Sequence, residues 1–256
     1  MARPLRIQFP GACYHVMSRG NARQVIFLSN EDRITFLKTL GHSAELHDVA
    51  ILCYVLMSNH FHLVLKTHKA NLSAFMKHLL VTYTVRFNKK HERWGHVFQG
   101  RFKSLIVEED EYLLPLSRYV HLNPVRTLDQ DRREPAERKK HVMEYPWSSF
   151  PGYCSLRSRV SWVEYEWLLS SYFESDDSVG RKRYRSYVYS GIDGEIENPF
   201  DDVVHQAILG GDSFVESMKG RVTNRFEREM PSLRGLKISL PVENILEKVG
   251  AAWDPG

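Results

Sequence analysis

The nine-residue apolar run from Val49 to Met57 constrains the fold of this chain more than any other segment. It is followed by Ser58-Asn59 and then by a second, largely apolar stretch that extends to residue 67. Two such runs separated by two turn-forming residues are typical of a β-hairpin. We therefore predict strands over residues 49–57 and 60–67, and the second strand begins with His60-Phe61-His62.

The segments on either side of this hairpin predict an alternation of strands and helices. Residues 12–19 and 97–107 have the composition of strands, the second with a bend at Gly100. Capping residues and apolar spacing predict three helices: one capped by Asn30 that ends near Gly41, one over residues 72–90 after Asn71, and one from Asp110 to Pro124. The order β-α-β-β-α-β-α indicates an α+β fold of the ferredoxin-like kind, an antiparallel sheet with helices on its faces.

Residues 154–256 are predicted to form a mostly helical C-terminal extension to a first domain over residues 1–153. The charged stretch from Arg126 to Lys140 is typical of a solvated connector. We expect Trp147-Ser148-Ser149-Phe150 and Tyr153 to pack back onto the core. Short helices are predicted at residues 163–173, 181–191, 202–209, 213–229 and 240–252.

The composition is that of a globular chain, with 43% hydrophobic and 26% charged residues among 256. No apolar run approaches the roughly 20 residues that cross a bilayer, and the first residues lack the apolar region of a secretory signal. The cysteines, Cys13, Cys53 and Cys154, are far apart and form no C-x-x-C motif, which argues against a disulfide framework and a zinc site. We therefore expect a cytoplasmic protein without a membrane partner.

The charge is distributed unevenly along the chain. Residues 1–126 carry 17 Lys and Arg against 9 Asp and Glu, a net charge of +8. Residues 127–256 carry 18 against 22, a net charge of −4. A basic first half indicates a polyanionic partner, and nucleic acid would place the protein at the nucleoid. The alternative is that the basic surface only keeps the protein in solution.

Two short motifs about sixty residues apart carry the chemistry. On a strand, residues i and i+2 share a face, so the imidazoles of His60 and His62 can meet one metal ion. On a helix, residues i and i+4 share a face, which brings Tyr119 and Asn123 together. Two neutral imidazoles and an amide oxygen are suited to Mg²⁺ or Mn²⁺, with positions left for substrate oxygens. With a phenol beside them, such a site is suited to breaking a phosphodiester with a tyrosine nucleophile.

Other readings of these residues stay open at this point. Tyr119 has the spacing of a residue that packs in the core, as does Tyr112 seven positions earlier. His15, on a neighbouring strand, and Glu108, at the end of another, are alternative metal ligands. His121 lies two residues from Tyr119 on the same helix, so its side chain should point elsewhere, towards packing or DNA contact.

Four segments together carry a resemblance to a known family. They are Tyr14-His15-Val16 with Arg19-Gly20-Asn21, Ser58-Asn59-His60-Phe61-His62, Phe98-Gln99-Gly100-Arg101-Phe102, and Arg118-Tyr119-Val120-His121-Leu122-Asn123-Pro124-Val125-Arg126. In this order they closely resemble the single-tyrosine HUH transposases (IS200-like transposases), and among these the REP-associated tyrosine transposases. The likeness spans residues 3–153, and Trp147-Ser148-Ser149 is similar to the family's trailing motif.

This resemblance implies roles for particular residues. His60 and His62 would be the metal-binding pair, Tyr119 the nucleophile that forms a 5′-phosphotyrosine, and Asn123 the residue that completes the metal site. Mobile insertion-sequence relatives tend to have Gln in place of Asn123, so the REP-associated branch is favoured. The implied substrate is hairpin DNA with flanking single strand. A homodimer is also implied as an option, because relatives can place the tyrosine of one subunit over the metal of the other. Residues 240–252 resemble the first helix of a helix-turn-helix. We expect the DNA-binding module that this helix would open to be either truncated or lost, and we assign no second DNA-reading domain.

Residues that flank the motifs are predicted to contact DNA. Basic or amide side chains on loops and strand ends can hold phosphates with a strong salt dependence. These candidates are Arg19, Asn21, Arg23, Arg101 and Lys103. Phe102 is predicted to be an exposed aromatic residue that stacks on unpaired bases.

Two rival functions share the same motifs. One is a non-catalytic protein of this fold that binds hairpin DNA, although no motif is visibly broken. The other is a metal-dependent phosphodiesterase that uses water as its nucleophile and keeps Tyr119 for structure. The preferred prediction is a metal-dependent single-strand DNA endonuclease and strand transferase.

Overall fold

The computed structural model describes residues 7–126, 134–193, 199–200, 203–204 and 207–218. Its first half contains strands β1 (Ala12–Arg19), β2 (Val49–Leu56), β3 (His60–Thr67) and β4 (Lys103–Val107), with helices α1 (Asn30–His47), α2 (Leu72–Lys90) and α3 (Glu109–Arg126). The strands lie in the order β2-β3-β1-β4, and each neighbouring pair is antiparallel. The predicted ferredoxin-like fold is therefore confirmed.

The second half continues with four helices and two short strands. They are α4 (Pro135–Glu144), α5 (Phe150–Cys154), α6 (Tyr165–Phe173), α7 (Ser178–Asp193), β5 (Val203–Val204) and β6 (Ile208–Leu209). Residues 212–218 are also helical. Strand β6 runs parallel to β4, and β5 runs antiparallel to β6. The antiparallel sheet thus becomes a mixed sheet of six strands in the order β2-β3-β1-β4-β6-β5.

The two faces of the sheet have different partners. On one face, Phe61 of β3 packs against Phe36 of α1, with 4.8 Å between ring centroids, and Phe36 in turn contacts Tyr83 of α2. On the other face, α3 packs against β2 and β3. Side chains alternate between faces along a strand, so His60 and His62 lie opposite Phe61, on the side of α3. This division places the histidine pair at a helix–sheet interface.

The segment around Trp147 packs back onto the core, as its sequence predicts. The carbonyl of Trp147 accepts from the backbone N–H of Leu56 at 2.8 Å, and the hydroxyl of Ser149 accepts from the backbone N–H of Tyr54 at 2.9 Å. Strand β2 lies at the edge of the sheet, where unpaired backbone groups invite association. The segment around Trp147 provides hydrogen-bond partners for part of the backbone groups at that edge. Tyr153 donates its hydroxyl hydrogen to the carbonyl of Leu52 further along the same strand.

Several predicted boundaries in the first half differ from the structure. Strand β4 begins at Lys103 rather than Val97, because Gly100 has a φ of +59°, and residue Phe98 makes only an isolated bridge to Gly20. Helix α1 is capped by Ser29 rather than Asn30, through a capping box with Asp32. The helix also continues beyond Gly41 to His47.

The glycine and the proline inside these helices have separate explanations. A Cβ atom on Gly41 would lie 2.5 Å from the ring of Trp162, so glycine there allows close packing. Pro124 lies within α3 instead of ending it. It removes one backbone donor close to the C-terminus of the helix, where the disruption of the hydrogen-bond ladder is small.

Two predictions for the second half are wrong. Residues 135–140 of the predicted connector belong to α4, which continues to Glu144. Residues 203–204 and 208–209 form β5 and β6 instead of a helix, because the free edge of β4 offers backbone partners to this segment: the N–H of Ile106 donates to the carbonyl of Ala207 at 2.8 Å. The helix at 240–252 and the end of that at 213–229 lie outside the described residues. In the described part of the chain, no helix is long and apolar enough to cross a membrane.

Candidate active site

The histidine pair lies at the start of β3. In the sheet register His60 is opposite Arg19 and His62 is opposite Met17 of β1. The two imidazole centroids are 5.1 Å apart with the rings nearly perpendicular, at 82°. His62 is 3% exposed, and His60 is half-buried. Strand alternation therefore directs both rings to the α3 side, as the sequence predicts.

Each of these histidines has one nitrogen held by a neighbour. Nδ1 of His62 shares a hydrogen bond of 2.9 Å with Nε2 of His15, and Nδ1 of His60 contacts Oδ1 of Asn59 at 2.7 Å. These contacts orient the rings and leave Nε2 of each as the nitrogen for a ligand. Metal-binding histidines characteristically make such a second hydrogen bond, because it fixes the tautomer and the ring orientation.

Burial keeps the histidines of this cluster neutral. It lowers the pKa of His15 to about 3, and together with the charge of Arg19 it lowers the pKa of His60 to about 4. Burial also lowers the pKa of His62 well below its usual value, with contributions from His15, His60, Arg19 and Arg126. Neutral imidazoles have a lone pair to offer, so the cluster can bind a metal ion at neutral pH.

Tyr119 and Asn123 approach the histidines from α3. The Tyr119 ring meets the His62 ring edge to face, with 5.8 Å between centroids. The Asn123 side chain is 5% exposed, and its Nδ2 donates to the carbonyl of Tyr119 at 2.9 Å. This bond commits one of the two amide hydrogens to the helix and leaves the amide oxygen as the group for a ligand. Burial raises the pKa of Tyr119, while Arg126 and the Asn123 side chain oppose that rise.

The donor set of His60, His62 and Asn123 fits a divalent cation. Two neutral imidazole nitrogens and an amide oxygen are the mixed ligands that Mn²⁺ accepts, and Mg²⁺ accepts the oxygen donors of such a site. Within the described ranges, no group of three or more His, Cys, Asp or Glu side chains is placed to hold a metal ion. A metal site here therefore depends on the amide of Asn123 as its third protein donor.

The alternative ligands occupy other positions. Ring nitrogen Nε2 of His15 is engaged with Nδ1 of His62, which is one of the predicted ligands. Glu108 follows Val107, which pairs with Cys13 at the far end of β1 from His60, and its carboxylate accepts from the backbone N–H of Gly211 at 2.7 Å. His121 points away from Tyr119, as predicted: its ring bonds to Ser149 and Tyr184 in the core.

The predicted DNA-contact residues gather at the end of the sheet that carries His60. Arg19 ends β1, Asn21 and Arg23 lie in the turn after it, and Arg101 and Lys103 lie before and at the start of β4. Backbone bonds join these loops: the N–H of Gly20 donates to Asn59, and the N–H of Gln99 donates to Arg19, both at 2.8 Å. All except the half-buried Arg19 are exposed. Phe102 is 8% exposed, so its prediction as a base-stacking residue is wrong.

Three residues near the site were not singled out by sequence reasoning. Arg126 places its guanidinium carbon 4.5 Å from the centroid of the Tyr119 ring. Phe200 contacts the rings of Tyr119 and His15, at centroid distances of 4.7 and 5.0 Å. Trp94 is 91% exposed on the loop before β4. Arg126 belongs to the recognised tyrosine motif and Trp94 follows Arg93, but no local pattern links Phe200 to the site.

The comparison with protein families identifies the class to which this geometry belongs. Residues 9–123 match the family described as "Transposase IS200 like". The matched region contains the histidine pair, Tyr119 and Asn123, so the part of the chain that carries the candidate site is similar to the IS200-like transposases. The resemblance seen in the motifs is thereby confirmed, and the enzyme class is that of a DNA transposase.

Solved structures with a related fold are distant. One is described as a REP-associated tyrosine transposase bound to a REP hairpin, 15% identical, with a TM-score of 0.46 over 59% of this chain and 84% of that chain. Another, provisionally named a transposase, is from Deinococcus radiodurans R1; it is 17% identical, with a TM-score of 0.34 over 46% of this chain and 95% of that chain. A comparison with curated proteins finds no match.

Proposed function

We propose that this protein is a metal-dependent single-strand DNA endonuclease and strand transferase that works through a 5′-phosphotyrosine. The observation that carries this proposal is the contact between Tyr119 and His62, whose ring centroids are 5.8 Å apart at the interface of α3 and β3. A phenol beside a pair of neutral imidazoles is an arrangement for attack on a metal-bound phosphodiester.

The chain's own residues have separate tasks in this reaction. The phenolic oxygen of Tyr119 attacks the scissile phosphorus; a Tyr–O–P bond forms and the P–O3′ bond breaks. The phenolic proton leaves to solvent, and the 3′ oxygen takes up a proton to become a free hydroxyl. His60, His62 and Asn123 would hold Mg²⁺ or Mn²⁺, which supplies a Lewis acid for the phosphate oxygens. Attack by a 3′-hydroxyl on the phosphotyrosine reverses the bond changes and joins the strands.

The substrate that we propose is hairpin DNA with a flanking single strand, such as palindromic repeats in a chromosome. Its support is the likeness of the motifs to the REP-associated branch, including Asn123, and the net charge of +8 over residues 1–126. Arg19, Asn21, Arg23, Arg101 and Lys103 would contact its phosphates. The division into a catalytic domain over residues 1–153 and an extension after it is part of the same proposal. Homodimer formation and nucleoid location stay predictions.

The test is covalent capture of labelled single-stranded hairpin oligonucleotides on a denaturing protein gel, with Mn²⁺ or with chelator. The proposal expects a metal-dependent covalent band that disappears in Tyr119→Phe. A matched control is Tyr112→Phe, which removes the same hydroxyl about two turns earlier on α3 and should keep the band.

The rival functions give different results in the same experiment. Hairpin binding without a covalent band would indicate the non-catalytic DNA-binding protein. Cleavage without a band, retained in Tyr119→Phe, would indicate that water is the nucleophile. A band that persists in Tyr119→Phe would exclude Tyr119 as the attacking residue.

A further inference from the structure

The end of α3 holds a guanidinium group that has no structural partner for one of its nitrogens. Arg126 packs over the face of the Tyr119 ring, with its central carbon 4.5 Å from the ring centroid. Its Nη1 atom is buried and has no hydrogen-bond partner among the residues that the structure describes. A buried donor on a charged group is costly to leave unpaired. Such a donor therefore indicates a position that an acceptor from outside the chain would fill.

A second unpaired donor lies on the other side of the histidine pair. Arg19 is opposite His60 in the sheet register, and its Nε atom is buried without a partner in the described ranges. Arg126 is linked to the same pair through Tyr119, because the ring that it covers lies 5.8 Å from the His62 ring, centroid to centroid. Two cationic groups, one from β1 and one from α3, thus border the site with unfilled donors. An anion is the ligand that such a pair accepts.

We propose that Arg126 and Arg19 form the binding position of the scissile phosphodiester, with Arg126 holding a non-bridging oxygen beside Tyr119. This inference rests on the proposed function. A guanidinium is planar, stays charged and offers paired N–H groups that match phosphate oxygens. As the Tyr–O–P bond forms and the P–O3′ bond breaks, charge on the non-bridging oxygens is stabilised by these donors. Both arginines keep their protons throughout.

Helix α3 contains a matched control for this position. Arg118 packs over the ring of Tyr187 in α7, with 4.6 Å from its central carbon to the centroid. The contact has nearly the same geometry as that of Arg126 over Tyr119, and it lies eight residues earlier on the same helix. It faces α7 rather than the histidine pair. If only the loss of a cation–π contact matters, Arg126→Ala and Arg118→Ala should have the same effect. If Arg126 also holds a phosphate, only Arg126→Ala should change DNA binding and the covalent step.

The first arm of the test measures binding without cleavage. In a Tyr119→Phe background, the affinity for a single-stranded oligonucleotide is measured at several salt concentrations. Removing one phosphate contact should reduce the slope of log affinity against log salt by about 0.7. We expect this reduction in Arg126→Ala and no change in Arg118→Ala. Equal slopes for both variants would overturn the proposal.

The second arm measures the covalent step. In single-turnover reactions with Mn²⁺, Arg126→Ala should form the adduct about 100-fold more slowly, in the range seen when one donor to a developing oxyanion is removed. Arg126→Lys should keep part of the rate that Arg126→Ala loses, and guanidinium ions added to Arg126→Ala should restore part of it. A purely structural role of Arg126 would produce neither result. Arg118→Ala should keep a rate within threefold of the unaltered protein. Adduct formation by Arg126→Ala at the full rate would contradict the assignment.

The two arms separate this inference from the proposed function. If the unaltered protein forms no adduct, the tyrosine chemistry fails, yet the salt slope still decides whether Arg126 holds a phosphate. If Arg126→Ala is poorly folded by circular dichroism, Arg126→Lys decides instead. Lysine keeps the charge and the salt slope, but it lacks the paired donors and should slow the covalent step.

A different observation supports a second inference, about the loop before β4. Trp94 is 91% exposed, although its loop is well anchored: Asn88 donates its side-chain N–H to the carbonyl of Gly95, and Arg93 donates to the side chain of Gln24, both at 2.9 Å. Lys89, Arg93 and Glu92 line the same open surface pocket as Trp94, so two cationic side chains and one carboxylate lie near the indole. The same loop is bonded to the turn after β1 through the N–H of Asn21 and the carbonyl of Val97.

We infer that Trp94 stacks on an unpaired base of the DNA. An exposed indole on an anchored loop, with Lys89 and Arg93 nearby, is the arrangement that single-strand binding proteins use, because every base has an apolar face and every nucleotide a phosphate. The inference depends on the proposed DNA substrate. It also replaces Phe102, which is buried.

The experiment compares Trp94→Ala, Trp94→Phe and a control, Val85→Ala, which removes a side chain that is 61% exposed on α2. Trp94→Ala should raise the Kd for single-stranded oligonucleotide about tenfold at every salt concentration, with an unchanged salt slope. Trp94→Phe should keep most of the affinity. A Kd for Trp94→Ala within twofold of that of Val85→Ala would overturn the inference, as would failure of the unaltered protein to bind the oligonucleotide.

Discussion

Histidines lie on opposite sides of α3, His121 on one side and the pair His60 and His62 on the other. They differ in how their ring nitrogens are used. His121 has both nitrogens bonded within the core, Nε2 to the Ser149 hydroxyl at 2.9 Å and Nδ1 to the Tyr184 hydroxyl at 2.7 Å. Among the described residues, His60 and His62 each have only Nδ1 held by a neighbour. Burial lowers the pKa in both groups, so burial alone does not distinguish them. What distinguishes them is Nε2 of His60 and of His62, which offers a lone pair to a ligand.

Helix α3 separates these groups because of its periodicity. Tyr119 and His121 are two residues apart, and side chains so spaced on a helix point in different directions. Tyr119 faces the sheet and the histidine pair, whereas His121 faces α5 and α7. One side of α3 thus carries Tyr119, the proposed nucleophile, and the other side contacts α5 and α7 of the second half. Substitutions on its two sides should therefore have different consequences.

The largest difference is expected between His62→Ala and His121→Ala. His62→Ala removes a proposed metal ligand and should reduce adduct formation by more than about 100-fold, since even supporting residues of metal sites contribute 10- to 100-fold. His121→Ala leaves a cavity and weakens the bonds of Ser149 and Tyr184, and should reduce the free energy of unfolding by about 2–4 kcal/mol. Covalent capture and urea unfolding measure the two effects. The expected contrast is refuted if His121→Ala lowers adduct formation as much as His62→Ala does and leaves the free energy of unfolding unchanged.

The second largest difference is expected in how much Mn²⁺ stabilises the variants of the two sides. Mn²⁺ at about 100 times its Kd should stabilise the protein by about 2.7 kcal/mol, because it binds the folded state. A variant with both His60→Ala and His62→Ala should lose this stabilisation, whereas His121→Ala should keep it from a lower baseline. Thermal unfolding with Mn²⁺ and with chelator measures the shift. An equal shift in the double variant would place the metal elsewhere.

The dependence of stability on pH sharpens the comparison for His121. Burial lowers its pKa to about 3 in the folded state, below its value of about 6.5 in an unfolded chain. Between these values the unfolded chain binds more protons, so stability is full above about pH 6.5 and falls as the pH decreases towards 3. The contribution of His121 should approach 1.4 kcal/mol per pH unit.

The measurement is urea unfolding of the unaltered protein and His121→Gln between pH 4.5 and 7.5. The free energy of unfolding of the variant should fall less steeply below pH 6.5, since it lacks one of the groups that take up a proton on unfolding. Because His15, His60 and His62 are also buried neutral, part of the slope should remain. Identical slopes in the two proteins would contradict the assigned environment of His121.

The smallest effect is expected from His15, which supports the site without binding the metal. His15→Gln should weaken the affinity for Mn²⁺ about tenfold, because His62 loses the partner that fixes its ring. Covalent capture at saturating Mn²⁺ should recover most of the activity. His68→Gln, at an exposed residue after β3, is the control. Recovery by excess metal distinguishes His15 from His62, whose loss should not be overcome in this way.

Local patterns account for much of what could be predicted. The bounds of β1, of β3 and of α2 agree with the predicted ones, and those of β2 differ by one residue, because alternation and helical spacing are properties of neighbouring residues. The face shared by His60 and His62 follows from strand geometry for the same reason. Position in the motifs identified Tyr119 and Asn123. The strand at 97–107 and the helix at 202–209 failed where a positive φ or a distant sheet edge overrode composition.

The sequence by itself determined the ferredoxin-like order of elements, and it predicted that His60 shares a face with His62 and Tyr119 with Asn123, since both depend on short-range spacing. Only the tertiary structure decided which nitrogen of each histidine is occupied, that His15 supports His62, and that Arg126 lies over Tyr119. It also decided that residues 203–209 extend the sheet and that Phe200 contacts the site. These relations join residues tens of positions apart, and they depend on packing contacts that no local pattern records.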